Sequence, residues 1–345
     1  MSGRFASCGG LGQEGRMADV TLRTIEPRER DAVLDLLAGW LNDRAFFARY
    51  FAHDPTFRDD LCFVAEADGR LVGTLQVFRK LVRIEGVDLA VGGIGNVFTD
   101  PQWRGAGVAG ALLERAIAAM DAHGFDASLL FASRLDFYAR FGWQSLPRQL
   151  SFISQGPTVA PRAALEPFDA ARDLDEVMAI YDVYGAGVPG ATVRDPAYWH
   201  GQLRYAGNPD ERFVVARHGG RVTAYGRATH LYDLPVVTEH GCLAGATEPL
   251  ADVIAHLHAD AATGTEARAP GSLAQLCPDA PLAEALAARG LDVRAVDDRS
   301  WMWRTLDVER LAARLRLPVA TVRGEGFFAD LLPAASSRYW ISDRF

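Results

Sequence analysis

The chain has 345 residues, 49% hydrophobic and 23% charged, which gives room for two domains of ordinary size and includes no apolar run long enough to cross a bilayer. Its net charge of -8 and pI near 5.5 work against nonspecific binding to nucleic acid and favour a cationic small molecule as partner. Four separated cysteines, Cys8, Cys62, Cys242 and Cys277, form no CxxC or Cys/His pattern, so no metal is expected and the thiols read as those of a reducing, cytoplasmic compartment.

Residues 1–17 begin MSGRFASCGGLGQEGR and lack the apolar core of a signal peptide; a disordered leader is expected. Val20 to Ile25 alternates like a strand. EPRERDAVLDLLAGWLND then opens a helix, with Pro27 in its first turn and Val33, Leu37, Trp40 and Leu41 on one face. A second helical stretch carries Phe46, Phe47, Tyr50 and Phe51. CFVAEADGRLVGTLQVF reads as a hairpin across Asp68-Gly69, and LVRIEGVDLAVGG as two strands turning near Glu85-Gly86. In GGIGNVFTD, Gly92, Gly93 and Gly95 loosen the strand, so bulges and close backbone approach are expected there. PQWRGAGVAG follows, then a helix from about Val108 to His123 capped by Gly124, then the short buried strand ASLLFAS.

The second half repeats the first. FVAEADGRLVGTLQV from Phe63 has a counterpart in FVVARHGGRVTAYGRA from Phe213, each with helical sequence before it and strands after it. Duplication of one α/β unit accounts for this. In the second copy, however, the strand GCLAGAT runs into the helix EPLADVIAHLHADA with no Q-x-x-G-x-G between them. The expected architecture is α/β (α+β): two tandem units, each a mixed, mostly antiparallel sheet flanked by helices. The leader takes 1–17, the first unit 18–153, a Pro-, Gly- and Ala-rich linker 154–167, the second unit 168–317 and a C-terminal tail 318–345.

A glycine-rich turn that opens a helix is an anion site, because unpaired N–H groups and the positive end of the helix dipole converge on it. GAGVAG matches the dinucleotide fingerprint G-x-G-x-x-G, yet DPQWR separates it from its strand, and Asp126 precedes the next strand instead of ending it. A Walker A loop would need Gly-Lys-Ser/Thr. A loop that merely connects strand and helix is the plain alternative. Taken whole, VFTDPQWRGAGVAGALLERAI resembles the acetyl-CoA motif of the GNAT N-acetyltransferase superfamily: an apolar strand and Pro, then Q-x-x-G-x-G running into a helix. Gln102, Gly105 and Gly107 stand at the motif positions and Arg104 at its frequent basic one. FYARFGW, Phe137 to Trp143, resembles the stretch that in this superfamily carries a tyrosine near the thioester sulfur, and order and spacing agree over about Val20 to Arg148. The pair of units, the second without the turn, is similar to the enhanced-intracellular-survival (Eis) type, as is RSWMWRTLDVERLAARL. Eis-type proteins continue into a sterol-carrier-like third domain, whereas about thirty residues follow Leu317 here.

The resemblance implies an N-acetyltransferase that moves the acetyl group of acetyl-CoA, its co-substrate, to a primary amine of a small cationic acceptor. Such transfer needs the pyrophosphate fixed, the carbonyl polarised, the amine deprotonated and the thiolate protonated. Gln102, Trp103, Arg104, Gly105, Ala106, Gly107, Val108, Ala109 and Gly110 are expected to cradle the pyrophosphate, glycine at 105 and 107 admitting the backbone. Val97, Phe98 and Thr99 are expected to pair with the pantetheine arm, with the N–H of Phe98 on the acetyl oxygen. Tyr138, a phenol of pKa about 10, is the candidate acid.

The strand AVGGIGNVFT holds no carboxylate, so a water relay, Asp54, His53 or the chain's own terminal carboxylate at Phe345 must be the base. Eis-type chains, by resemblance, use a terminal carboxylate and finish on an aromatic residue. The tail ends in Tyr339, Trp340, Ile341 and Phe345, an apolar load expected to be docked. Trp40 and Phe47 of the aromatic helices, with Asp54 in DPTFRDD, are the expected acceptor-site residues. Two rival readings stay open: an acyltransferase of the same fold with another acyl group or an oxygen acceptor, and a module that senses acyl-CoA without turnover. Nucleic-acid and membrane partners are not expected; a homo-oligomer is left open.

Overall fold

A computed structural model of the chain describes residue 17 and residues 19–41, 43–205, 211–231, 234–262, 271–276 and 278–345. The expected leader, apart from Met17, and also Cys8 and Cys277 lie outside the described residues.

The first half contains strand β1 (Thr21–Thr24), helices α1 (Arg30–Leu41) and α2 (Arg44–His53), strands β2 (Cys62–Ala67), β3 (Arg70–Ile84) and β4 (Val87–Thr99), helix α3 (Val108–Ala122), strand β5 (Ala127–Phe131), the short helix α4 (Leu135–Ala139), and strands β6 (Gln144–Ser145) and β7 (Arg148–Ser154). Its hairpins follow from local chemistry: Asp68-Gly69 and Glu85-Gly86 have positive φ at both residues, the type I′ geometry that matches strand twist. Asp43 starts α2, its side chain accepting from Phe46 N at 2.9 Å.

The second half contains β8 (Ala164–Pro167), α5 (Ala170–Gly185), α6 (Pro196–Tyr205), β9 (Arg212–His218), β10 (Arg221–Leu231), β11 (Leu234–Cys242), α7 (Thr247–Ala262), β12 (Gly271–Ala274), α8 (Ala280–Ala287), β13 (Asp292–Asp298) and β14 (Trp301–Thr305). Helices α9 (Val308–Leu315), α10 (Val319–Val322) and α11 (Phe327–Leu331) lead into the last residues.

The strands form two seven-stranded sheets, ordered β1-β2-β3-β4-β5-β14-β6 and β8-β9-β10-β11-β12-β7-β13. They are one sheet built twice, with a strand exchanged. β14, from the second half, lies antiparallel between β5 and β6; β7, from the first, lies antiparallel between β12 and β13. Among the described residues, parallel pairing is confined to β4 with β5 and β11 with β12, the pairs joined through α3 and α7.

The ladders therefore do not follow the boundaries expected from composition. β7 falls largely inside 18–153 yet belongs to the second sheet, β8 falls inside 154–167 and forms that sheet's edge, and β14 falls inside 168–317 yet belongs to the first. The crossing begins where β6 stops after two residues and Pro147, with no N–H to offer a ladder, intervenes. The strand expected over GCLAGAT ends at Cys242, and Gly245 (φ 78) turns the chain toward α7.

Helix α3 buries Val108, Leu112, Leu113, Ala116 and Met120 against Val77, Ile94 and Leu130 on one face of the first sheet. On the opposite face, Val82, Leu89 and Leu129 pack with Trp301, Trp303, Phe327, Phe328 and Tyr339. Each such side chain is worth about 1.5–3 kcal/mol when fully buried, which is why residues 318–345 lie on the body and not in water.

Candidate active site

Strands β4 and β5 pair only from Val91↔Ala127 to Ile94↔Leu130 and then part. The glycines at this opening face opposite ways. A Cβ on Gly92 would strike Met120 of α3, and one on Gly93 would strike the ring of Phe345. A Cβ on Gly95 would come within 3.0 Å of that ring and 3.3 Å of the carbonyl oxygen of Phe345. The close approach expected at these glycines is thus made by the tail's last residue. The bulge falls one residue on: register shifts between Thr74↔Phe98 and Gln76↔Gly95, Asn96 has φ 52, and its Nδ2 donates to Gln76 Oε1 at 2.9 Å.

The expectation for Phe98 is corrected by the phase of the ladder. Asp100 N donates to Val72 O at 2.9 Å, and facing alternates along a strand, so the N–H of Phe98 points to Thr74 and is spent in the sheet. Its ring is buried against α1 and α2. The N–H groups turned toward the gap belong to Val97 and Thr99, and Thr99 Oγ1 is buried with no hydrogen-bond partner among the described residues.

Beyond the gap, Asp100 Oδ1 accepts from Gln102 N at 2.8 Å and holds the turn Pro101–Trp103. The N–H groups of Arg104 and Ala106 are used inside the turn, on Pro101 O and Trp103 O. Gly105 (φ 82) and Gly107 (φ 91) adopt the left-handed region that glycine tolerates, and Gly107 has no side chain to cap α3. Ala111 N is already bonded to Gly107 O, which leaves Val108, Ala109 and Gly110 as the first-turn donors. A cradle free of side chains at the start of a fifteen-residue helix fits a diphosphate.

Tyr138 lies on α4, half-buried, its ring edge-on to Phe137 (5.0 Å) and Trp143 (6.4 Å), and packs on the core beneath α3. Burial pushes its phenol above the usual tyrosine range. The turn and Tyr138 thus share one face of the sheet, and Phe345 occupies the other.

On that second face the ring of Phe345 stacks on Phe78 at 5.0 Å and lies 6.2 Å from Phe131, while Tyr50 Oη donates to Arg344 O at 3.4 Å. Lys80 is 1% exposed; its Nζ donates to Tyr198 Oη at 2.7 Å and stands 4.7 Å from the ring of Tyr198 and 5.9 Å from those of Tyr205 and Phe345. Burial draws the Lys80 ammonium below the usual lysine range, against the pull of Asp54 and Asp343. Asp54 is buried, its Oδ1 taken by Thr56 N (2.8 Å) and Oγ1 (2.7 Å), and its Oδ2 has no partner among the described residues.

Two expected acceptor residues fall elsewhere. Phe47 is closed into the apolar core with Val33, Leu37 and Phe98, and Trp40 is 49% exposed, stacked on Phe47 at 6.1 Å. The cause is helical spacing: Phe47 and Phe51 share the side of α2 that meets α1, whereas Phe46 and Tyr50 share the side that meets Phe345. Lys80, Tyr198 and Tyr205 were not anticipated. Lys80 could have been noticed as the cation in the inward series Gln76, Phe78, Lys80, Val82; Tyr198 and Tyr205 sit on a helix with no motif. Among the described residues no group of three or more His, Cys, Asp or Glu side chains could hold a metal ion, and no helix is long and apolar enough to cross a membrane.

Residues 21–146 match the acetyltransferase (GNAT) domain family, so the first unit is a GNAT acetyltransferase domain. The chain as a whole has the fold of tandem GNAT-like proteins. It is similar to a GCN5-related N-acetyltransferase of Anabaena variabilis (16% identity, TM-score 0.62, covering 84% of this chain and 74% of that one) and to Eis1 of Mycobacterium abscessus (17%, TM-score 0.57, 86% and 75%). It is also similar to the N-myristoyltransferase of Saccharomyces cerevisiae with bound myristoyl-CoA (10%, TM-score 0.56, 84% and 79%). At these identities the likeness is one of fold. No curated protein matches the sequence.

Proposed function

We propose that the chain is a cytoplasmic, acetyl-CoA-dependent N-acetyltransferase acting on a primary amine of a small cationic molecule. The observation that carries this is the gap between β4 and β5, with the diphosphate cradle and Tyr138 on one face and Phe345 on the other. Acetyl-CoA, when bound, supplies the thioester whose acyl group is moved. The N–H groups of Val108, Ala109 and Gly110, beside Arg104, hold the diphosphate. Thr99 N–H anchors the arm and Val97 N–H polarises the acyl carbonyl.

From the far face the carboxyl group of Phe345 takes the amine's proton as the C–N bond forms, and Asp54 attracts the acceptor's charge. Tyr138 gives its proton to the sulfur as the C–S bond breaks. Its raised pKa keeps it protonated at neutral pH.

The test is release of free CoA, read with a thiol reagent, over a panel of polyamines, aminoglycosides and lysine peptides. Turnover with at least one amine, and N-acetylated product by mass, is the expected outcome; tight acetyl-CoA binding with no release from any amine would make the chain a sensor. The fold shared with a myristoyl-CoA enzyme favours a second arm in which longer acyl-CoA donors replace acetyl-CoA.

A further inference from the structure

The second unit lacks the glycine turn but keeps the gap. β11 and β12 pair only at Val236↔Leu273 and Val237↔Ala274 and then part, as β4 and β5 do. The tail fills this opening. Gln275, just past β12, donates from Nε2 to Ser337 O at 3.2 Å. Trp340, 2% exposed, sets its ring edge-on to His240 of β11 at 4.9 Å and packs with Ile180, Trp199 and Tyr225.

The next residues are held by charge. Ser342 Oγ donates to Glu239 Oε2 at 2.5 Å, and Gln202 Nε2 donates to Ser342 O at 3.2 Å. Asp343 accepts from Arg194 Nε (3.0 Å) and Nη2 (2.8 Å) and from Tyr198 Oη (3.0 Å), the hydroxyl that Lys80 meets from the first unit. Arg194 is itself bidentate on Glu239, at 3.1 and 2.8 Å. The side chains of Arg194 and Glu239 and the whole of Asp343 are shut off from water. Desolvation offsets much of the attraction in such a cluster, so what it contributes best is position.

We infer that the second unit serves as the receptor for the chain's own tail. Its gap, equivalent to the opening at Gly93 and Gly95, takes Trp340, and the Arg194–Asp343 lock sets where Phe345 meets the first unit. Asp343 and Arg194 are positioning residues, and their effect on rate rests on Phe345 being the residue that faces the reacting amine. The chemistry of the first unit then depends on bonds made in the second.

The test is a cycle of four full-length proteins: wild type, Asp343→Asn, a chain extended by Gly-Ser after Phe345, and the two changes together. Asp343→Asn should lower kcat by about 10- to 100-fold with acetyl-CoA affinity within about two-fold of wild type, and should add little to the loss already present in the extended chain. Carboxypeptidase should release Phe345 and Arg344 faster from Asp343→Asn than from wild type at a temperature where both are folded. Ser342→Ala, which removes the hydroxyl that donates to Glu239 and accepts from Arg194 Nη2 but leaves the Arg194–Asp343 pair in place, should shift both readouts in the same direction by a smaller factor and stands in if Asp343→Asn does not fold. Additive losses in the cycle, or unchanged release and kcat in the variants, overturn the inference. A slow extended chain beside a fully active Asp343→Asn keeps the Phe345 carboxyl group as base and removes the lock. A fully active extended chain beside a slow Asp343→Asn removes that base and keeps the lock, acting on the ring.

Discussion

The two units share a strand order and an opening between parallel strands, and they differ in what the opening admits. In the first, Gly93 and Gly95 line it, a bulge at Asn96 widens it, and a left-handed glycine leads into α3. In the second the strand is also bulged, between Arg227 and Ala228 of its neighbour, but the residue before the last pair with β12 is the buried Val236, where the first unit has Gly93 before the last pair with β5. One backbone design thus serves two ends. Side chains at these positions set how much of the tail each opening receives: the ring of Phe345 against Gly93 and Gly95 in the first, Trp340 against His240 in the second.

The largest expected effect tests that division at the two turns. Gly107 (φ 91) and Gly245 (φ 78) are both left-handed and both have space around them, so Gly107→Glu and Gly245→Glu bring similar backbone strain. Only the first sets a carboxylate where a diphosphate is to lie. Gly107→Glu should weaken acetyl-CoA by about 100-fold or more, and Gly245→Glu should leave it unchanged, with calorimetry giving one site per wild-type chain. Equal losses in the two variants, or two sites, would erase the difference between the units.

Next comes Tyr138→Phe, which keeps the ring against Phe137 and Trp143 and removes the proton. A fall in kcat of about 10²- to 10⁴-fold with acetyl-CoA affinity nearly constant is expected. Because burial raises the phenol's pKa, the wild-type rate should not lose its acid until pH passes above the ordinary tyrosine range. A kcat that barely moves makes Tyr138 a core aromatic, and the first unit's chemistry must then be sought on the face of Phe345 alone.

How much of this was readable in the sequence follows from the range of the interactions. The hairpins at Asp68-Gly69 and Glu85-Gly86 and the turn at Gly105 to Gly107 are set by neighbours in the chain, and they stand where local pattern puts them. The exchange of β7 and β14 depends on partners about 150 residues away, so no local pattern carries it: Arg148 in β7 faces Asp298 in β13. Phe46 and Phe47 stand about 100° apart around the helix, and the aromatic stripe alone does not say which of the two sides meets α1. Whether Phe98 or its neighbours offer an N–H to the gap depends on the ladder's phase, which the bulge at Asn96 resets. The buried lock of Arg194, Glu239 and Asp343 joins three segments that share no motif.

The smallest expected effect separates the units by acid. His240, inside the tail's socket, is held neutral: burial first, then the nearby Arg338 guanidinium, bring its pKa down to about 3. Glu239 beside it works the other way, the Tyr184 hydroxyl stands 3.4 Å from its Nδ1, and the Trp340 ring covers it. In the unfolded chain a histidine titrates near about 6.5. The folded pKa is the lower one, so the stability due to a neutral His240 is present above about 6.5 and is lost as pH falls toward 3, at up to about 1.4 kcal/mol per pH unit. Glu239, lowered to about 2 by Arg194 and Arg227 against the upward push of burial, adds a loss of the same sign only below the usual carboxylate range. Between about pH 6.5 and 5 the histidine therefore acts first. Over that window kcat should fall and carboxypeptidase should release Phe345 faster, while acetyl-CoA affinity holds, because the glycine turn contains no such group. His240→Gln should flatten the dependence of Tm on pH across the same window. An unchanged slope in that variant would remove His240 as the cause, and a parallel loss of acetyl-CoA affinity would show that acid opens both units together.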